Sequence, residues 1–169
     1  MRIKRLLIAL IFLLITTHAF GAAHYADLND AGSTGAGTFA EPFKTKAEID
    51  GHAWATGDDL YFSSTGTHTL TSRLLVDWTG SVGDGTVIGC YDGDGDFDCG
   101  ANYATISGGG TQPSGTQPIY QGLIEFATAG QEYITVQQLK IKDSNAQGIR
   151  FYDSGHGGMN NIYIYECLN

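Results

Sequence analysis

The sequence is poor in proline, charge and cysteine. Its 169 residues include 3 prolines and 3 cysteines, and only 16% of them are charged. So little proline excludes a collagen-like chain or a proline-rich linker, and the lack of long runs of Ala, Glu, Lys, Leu and Arg excludes a coiled coil or helical bundle. The sequence contains no Walker-type glycine loop, no Asn-Xaa-Ser/Thr sequon and no Cys/His cluster with metal-ligand spacing.

Glycine and strand-forming residues are abundant instead. There are 24 glycines, and Val, Ile, Thr, Tyr and Phe alternate with Gly, Asn, Asp and Ser along most of the chain. This pattern predicts a single β-rich domain with many turns. The one helix that we predict covers about residues 45–55 and is weakened by Gly51.

The segment 1–22 has the pattern of a secretory signal peptide. Arg2, Lys4 and Arg5 precede an apolar run over residues 6–15, and small residues follow at 16–23. Ten apolar residues cannot span a bilayer core, which needs about 20. We therefore predict a signal peptide at 1–22, a secreted, periplasmic or cell-surface location, and no membrane insertion after cleavage of the signal.

The predicted mature chain, residues 23–169, is strongly acidic. The leader holds three of the nine Lys and Arg residues and none of the 18 Asp and Glu residues. Such an excess of negative charge disfavours nucleic acid or an anionic membrane as a partner. It also disfavours an acidic polysaccharide, unless a cation or a local basic patch mediates the contact. The basic residues of the second half lie between 140 and 150.

A repeat of short strands occupies the region beyond residue 120. The segment 124–126 recurs at 149–151, and the segment 133–136 recurs at 161–164. Short strands that recur at so regular a spacing favour a solenoid over the alternative, an antiparallel β-sandwich. The alternation predicts eight residues that point inward and stack: Ile134, Val136, Leu139, Ile141, Ile149, Phe151, Ile162 and Ile164.

The segments 42–45, 57–62, 66–70 and 133–151 together resemble right-handed parallel β-helix proteins of the pectate-lyase-like superfamily. The first three are similar to an N-terminal cap with a short capping helix and the first rungs, and the last is similar to the rung consensus. The resemblance implies an all-β fold, a right-handed parallel β-helix (solenoid) over residues 23–169. Because no polar cap follows the final strand pattern, we expect this domain to be truncated at its C-terminus.

The segment from Cys90 to Cys99 is the most distinctive local feature. Two cysteines that flank one short loop in an exported chain predict a loop-closing disulfide worth about 2–3 kcal/mol, the alternative being two reduced core cysteines. Four alternating carboxylates within this loop suit Ca²⁺, although the spacing is not that of an EF-hand. The alternative is a solvated acidic turn. The candidate calcium ligands are Asp92, Asp94, Asp96 and Asp98.

The resemblance also suggests where chemistry would occur. In the lyases of this superfamily a Lys or Arg abstracts the proton next to a uronate carboxyl group that Ca²⁺ holds, so the weak catalytic candidates are Lys140, Lys142 and Arg150, the alternative being solvated strand cations. Outward tyrosines could stack on sugar rings or serve only as strand formers. The candidates for stacking are Tyr152, Tyr163 and Tyr165.

The sequence therefore favours an exported, carbohydrate-active β-helix. It is either a polysaccharide lyase that cleaves a uronate polymer by Ca²⁺-assisted β-elimination or a non-catalytic adhesin or glycan-binding scaffold. A polysaccharide is the expected partner, and a lyase is preferred to a glycoside hydrolase if the protein is an enzyme. Cys167 aligns with the inward Leu139 and is expected to be a small buried hydrophobe rather than a nucleophile.

Overall fold

The structure, a computed structural model, describes residues 21–32, 34–109, 122–126, 128–144, 147–151 and 160–167, apart from the Tyr165 side chain. These residues form one helix, α1 (Lys46–Gly51), and eleven strands. The strands are β1 (Ala23–Ala26), β2 (Asp59–Ser63), β3 (Thr67–Thr69), β4 (Leu74–Val76), β5 (Thr86–Tyr91), β6 (Ala104–Ser107), β7 (Gly122–Phe126), β8 (Glu132–Gln137), β9 (Leu139–Lys142), β10 (Gln147–Phe151) and β11 (Asn160–Tyr165).

The strands form three sheets, and every pairing between the named strands is parallel. Sheet A has the order β1-β2-β5-β8-β11, sheet B has the order β3-β6-β9, and sheet C has the order β4-β7-β10. From β2 onward, successive strands enter sheets A, B and C in the same rotation. The predicted all-β class is confirmed, and the antiparallel β-sandwich is wrong for the described strands.

The register of the strands matches both sequence repeats. Ile162 of β11 lies beside Ile134 of β8, as the recurrence of 133–136 at 161–164 predicts. Ile149 of β10 lies beside Ile124 of β7, as the recurrence of 124–126 at 149–151 predicts. Because register partners face the same side of a sheet, each repeat places like side chains on top of one another.

The core lies between the three sheets and is almost entirely apolar. Of the eight residues predicted to point inward, four are buried, and Ile149, Phe151 and Ile162 are partly buried against the core. Ile164 is the register partner of the buried Val136 and so lies on the inward side, as predicted, but it is 49% exposed. Ile164 lies on β11, which pairs only with β8 among the described strands, and no described strand covers its other side.

Left-handed backbone positions recur with the strands. Tyr133 within β8 and Asn161 within β11, at equivalent points of the repeat, have φ of 53° and 54°. Gln138 and Glu166, which follow the same two strands, have φ of 53° and 51°. Non-glycine residues rarely adopt this conformation. Its recurrence shows that the chain bends in the same way at equivalent points of the repeat.

Helix α1 is shorter than predicted. Thr45 caps it by accepting a hydrogen bond from the amide of Glu48, whose carboxylate in turn accepts from the amide of Thr45. The helix ends at Gly51, and His52 is already extended (φ −73°, ψ 141°). The predicted helix over 45–55 is therefore limited to residues 46–51, with only Ile49 buried.

His68 occupies an inward position at the edge of sheet B, beside Ile106, and is fully buried. Its Nε2 donates to the carbonyl oxygen of Ser63 (2.7 Å), and its Nδ1 accepts from the amide of Leu28 (3.2 Å). This arrangement requires the neutral ring, because a protonated imidazole has no acceptor. Burial lowers the pKa of His68 below its ordinary value of 6.5.

We expect the stability of the protein to fall as the pH is lowered from 7 to 5. The unfolded chain takes up a proton on His68 near pH 6.5, whereas the folded chain resists it, so protonation favours unfolding. Urea unfolding at pH 7, 6 and 5 should show a smaller loss of unfolding free energy in His68→Gln than in the unaltered chain. Equal losses in both chains would contradict the assigned neutral ring.

Candidate functional site

A polar groove lies beside sheet B. It has a volume of about 470 Å³ and is bordered by three parts of the chain: the corner after β2, the segment 101–103 that leads into β6, and the outer faces of β6 and β9. Hydroxyl, amide, phenol and ammonium groups dominate the lining. The lining residues are Ser64, Thr65, Ala101, Asn102, Tyr103, Thr105 and Lys140.

Lys140 and Lys142 are both exposed on β9, as predicted for outward positions. Lys140 lies beside Thr105 of β6 and borders the polar groove. Lys142 lies further along the strand, beside Ser107, and does not border the groove. The structure therefore separates two lysines that the sequence treats alike.

Arg150 belongs to a different group of side chains, on sheet C. Its Nη1 lies 3.5 Å from Oε2 of Glu125, and Nη1 of Arg73 lies 2.8 Å from Oε1 of the same carboxylate. Glu125 is 2% exposed and also accepts from the amide of Gly122 (3.3 Å). A buried carboxylate needs such partners, so Arg150 has a charge-balancing role and lies apart from Lys140 and Lys142.

Only one of the three candidate stacking tyrosines has a described side chain. Tyr163 is 58% exposed on β11, beside Thr135 of β8. Tyr152 lies outside the described residues, and so does the side chain of Tyr165. The predicted row of sugar-stacking tyrosines consequently stays a prediction.

An aromatic cluster that sequence analysis did not identify covers the outer face of sheet A. Tyr25 and Tyr61 are register partners, and the ring of Phe97 stacks on Tyr61 with a centroid distance of 4.2 Å. Phe39 and Tyr91 both meet Tyr25 edge to face, at 5.5 and 5.1 Å. The cluster attaches the acidic loop to sheet A through Phe97.

The predicted disulfide between Cys90 and Cys99 is present, with the Cα atoms 6.2 Å apart. Both cysteines are buried, and they close the acidic loop against the core. The third cysteine, Cys167, is half-buried and packs against the core, and burial raises the pKa of its thiol. A raised thiol pKa disfavours a nucleophile, in agreement with the prediction for Cys167.

Two of the four carboxylates of the acidic loop, Asp92 and Asp98, accept hydrogen bonds and have different roles. Oδ1 of Asp92 accepts from the amides of Asp94 (3.0 Å) and Asp96 (3.1 Å) and so organises the turn. Oδ1 of Asp98 accepts from Nε2 of Gln138 (2.9 Å), which lowers the pKa of Asp98. These carboxylates do not form a group of three metal-binding donor atoms within 4.8 Å of one another. The one such group in the described part of the chain lies outside the acidic loop.

That convergent group consists of His24, His52 and Asp58. His24 belongs to β1, His52 directly follows α1, and Asp58 directly precedes β2. Nε2 of His24 lies 3.6 Å from Oδ2 of Asp58, and the two imidazole centroids are 4.2 Å apart. Burial lowers the pKa of His24, the nearby His52 adds to this effect, and Asp58 opposes it.

Backbone amides fix the Asp58 carboxylate. Oδ1 accepts from the amide of Ala22 (2.8 Å) and Oδ2 accepts from the amide of Ala55 (2.7 Å). The side chain is buried, although it is an acid with no Lys or Arg among its ion-pair partners in the described residues. Its orientation is thus set by the chain itself, before any contact with His24 or His52.

Aromatic side chains enclose the two histidines. Trp54 stacks on Trp78 with a centroid distance of 3.9 Å and meets both His24 (5.1 Å) and His52 (4.7 Å) edge to face. Nε1 of Trp78 donates to the carbonyl oxygen of Asp58 (2.9 Å). The tryptophan pair therefore positions the histidines and the aspartate together.

A cleft of about 350 Å³ opens beside this group. It leads from solvent to His52 and Trp54, between α1 and β4. Charged residues of both signs border it. The lining residues are Lys46, Ile49, Asp50, His52, Trp54, Ser72, Arg73, Leu75 and Asp77.

The sequence did not predict the group of His24, His52 and Asp58, because the three residues form no local motif. The three residues come from three separate segments of the chain, and each is ordinary in its own segment. One weak signal exists: His24 alternates with the apolar Ala26 and so falls on the inward side of a strand, where a histidine is unusual.

The chain matches no model of a known protein family, no curated protein and no solved structure. In the described residues, no helix has both the length and the apolar character that crossing a membrane requires.

We predict that Asp92→Ala destabilises the protein by about 1 kcal/mol in the presence of EDTA, because two backbone amides lose their acceptor. Asp94→Ala should change the unfolding free energy by less than about 0.5 kcal/mol, since its exposed carboxylate accepts no hydrogen bond from the described residues. Urea unfolding of both variants provides the measurement. Equal effects would contradict the role assigned to Asp92.

The calcium site of the acidic loop stays a prediction, and thermal unfolding tests it. Ca²⁺ should raise the melting temperature of the unaltered chain, and Asp94→Ala with Asp96→Ala should abolish the rise. A melting curve that Ca²⁺ leaves unchanged would show that the loop is a solvated acidic turn.

Proposed function

We propose that this protein is an exported right-handed parallel β-helix that binds an extracellular polysaccharide in the polar groove beside sheet B. The observation that carries the proposal is the lining of that groove, where Lys140, Asn102 and Tyr103 lie together with three side-chain hydroxyls. Polysaccharide binding is chosen over a purely structural array because the groove concentrates polar groups with hydrogen-bonding capacity on one face.

The fixed rotation of strands through sheets A, B and C supports the β-helical part of the proposal. A chain that returns to the same sheet after every third strand, always in parallel register, advances by one turn with each cycle. In this interpretation α1 and the segment before β2 cap the first turn. Exposed apolar ends of such stacks need a cover, which α1 supplies through Ile49.

The chemistry of the groove suits a carbohydrate. Sugar hydroxyls both donate and accept hydrogen bonds, and the amide of Asn102 and the hydroxyls of Ser64, Thr65 and Thr105 do the same. Tyr103 is half-buried, and a tyrosine ring combines an apolar face with a polar edge. A sugar ring has the same mixture of apolar and polar surface.

Lys140 gives the groove a preference for acidic sugars. Among the described residues it is the one basic side chain that borders the groove, and it lies in a chain with a large excess of acid. A uronate carboxylate beside its ammonium group would form a charge-assisted hydrogen bond, which is stronger than a neutral one. We therefore propose a uronate-containing polymer as the preferred partner.

A lyase activity is a second candidate function, supported by the position of Lys140 in the groove. Removal of the proton next to a uronate carboxyl group would require Lys140 in its neutral form. Arg150 contributes less to this candidate, because it pairs with the buried Glu125 on a different sheet. The binding proposal does not depend on the reaction.

Two features, the signal-peptide pattern and the disulfide, support export of the protein. The sequence begins with the pattern of a signal peptide over residues 1–22. The disulfide between Cys90 and Cys99 suits an oxidising compartment. We accordingly propose a secreted, periplasmic or cell-surface location.

Calorimetric titration with oligomers of polygalacturonate, alginate and neutral dextran tests the function. The uronates should bind more tightly than dextran, and Lys140→Ala should weaken uronate binding about tenfold, as expected for the loss of one charge-assisted hydrogen bond. Lys142→Ala is the matched control, because it removes the same charge from the same strand outside the groove. This control should bind like the unaltered chain.

Two further outcomes decide between the candidates. Formation of an unsaturated product that absorbs in the ultraviolet, lost in Lys140→Ala and retained in Lys142→Ala, would establish the lyase. Failure of all three oligomers to bind, or equal weakening by the two lysine variants, would overturn the proposed groove.

A further inference from the structure

We infer that His24, His52 and Asp58 form a binding site for a divalent transition-metal ion, with Zn²⁺ as the best match. This site lies at the end of the core next to α1, and it is independent of the polysaccharide groove. Three donor atoms converge there, backbone amides fix the orientation of the Asp58 carboxylate, and a cleft leads from solvent to His52.

The donor atoms are close enough to share one ion after small side-chain movements. All three lie within 4.8 Å of one another, and Nε2 of His24 lies 3.6 Å from Oδ2 of Asp58. Zn²⁺ bonds of about 2.0–2.1 Å in a tetrahedron place neighbouring donors roughly 3.3 Å apart.

Asp58 is prepared as a ligand by its hydrogen bonds. Each carboxylate oxygen accepts one backbone amide, from Ala22 and from Ala55, and each retains a further lone-pair direction. Outer hydrogen bonds of this kind orient metal-binding carboxylates. Ala22 directly precedes β1, which carries His24, and Ala55 lies in the segment after His52, so the segments that carry the histidines also orient the carboxylate.

The donor set selects the class of ion. Two imidazole nitrogens and one carboxylate oxygen are ligands typical of Zn²⁺ and related transition metals, whereas Ca²⁺ and Mg²⁺ prefer oxygen alone. Three protein ligands leave one position for water. The cleft of about 350 Å³ reaches His52 and provides the entry path for the hydrated ion.

A bound ion would link three segments of the chain at one point. His24 lies on β1, His52 follows α1 and Asp58 precedes β2, so one ion would join the first strand of sheet A, the helix and the second strand. An ion that binds only the folded chain stabilises it increasingly as its concentration rises. The competing interpretation is a metal-free cluster in which aromatic packing alone holds the histidines.

Titration of the purified, metal-free full chain with ZnCl₂ distinguishes the two interpretations. We expect one equivalent of Zn²⁺ to bind with micromolar or tighter affinity and to raise the melting temperature by several degrees at saturation. His52→Ala and Asp58→Asn should each weaken binding about 100-fold or more. The matched control is His68→Gln, which removes a buried histidine outside the site and should bind Zn²⁺ normally.

Co²⁺ supplies a readout that does not depend on stability. Its visible absorption should show a site with nitrogen and oxygen ligands, and this signal should disappear in His52→Ala. Unaltered Zn²⁺ affinity in His52→Ala and Asp58→Asn, or absence of binding by the unaltered chain, would overturn the site. Loss of binding in His24→Ala together with normal binding in His52→Ala and Asp58→Asn would also overturn the site, because the ion would then depend on the N-terminal segment only.

Discussion

In-register pairing of parallel strands is the constraint on which the rest of the structure depends. Each inward position of one strand places its side chain against the equivalent position of the next, so Leu60, Ile88 and Val136 follow one another through sheet A. Backbone hydrogen bonds and apolar stacking therefore reinforce each other, and a slip of one residue would turn the core side chains outward. Register does not restrict the outward side chains in this way, so the outer faces of the sheets carry different residue types. Examples are Tyr61 on sheet A, Lys140 on sheet B and Glu125 on sheet C.

The same constraint explains where polar groups enter the interior. His24 pairs with Leu60 and His68 pairs with Ile106, so both histidines hold inward positions on strands at the edges of their sheets. Among the described residues, no further strand pairs with β1 or β3 at these edges, so parts of the chain outside the sheet contact the histidines there. Leu28 donates its backbone amide to His68, whereas His24 lies against His52, Asp58 and the ring of Trp54. Polar contacts thus replace apolar stacking where the regular repeat begins.

The repeat itself could be predicted from the sequence, because strand alternation and the recurrence of short segments are local patterns that register preserves. The disulfide could also be predicted, since both cysteines flank one short loop that follows a signal-peptide pattern in the sequence. The convergence of His24, His52 and Asp58 could not, because it brings together β1, the residue after α1 and the residue before β2, which are separate in the sequence. Arg150 illustrates the same limit: its outward position follows from alternation, but its pairing with Glu125 follows from the neighbouring strand. The sequence likewise gives no sign that the groove takes in Lys140 and leaves out Lys142.

Disulfide trapping across β6 and β9 tests the in-register account most directly. Thr105 lies beside Lys140, and Ser107 lies beside Lys142. In a Cys167→Ser background, Thr105→Cys with Lys140→Cys should form a cross-link under mild oxidation, detectable by mass spectrometry. Thr105→Cys with Lys142→Cys should not, because a shift of two positions on the same face separates the Cα atoms by more than the limit of about 7 Å for a disulfide. Equal cross-linking of the two pairs, or preferential cross-linking of the second, would contradict the register and the site geometry derived from it.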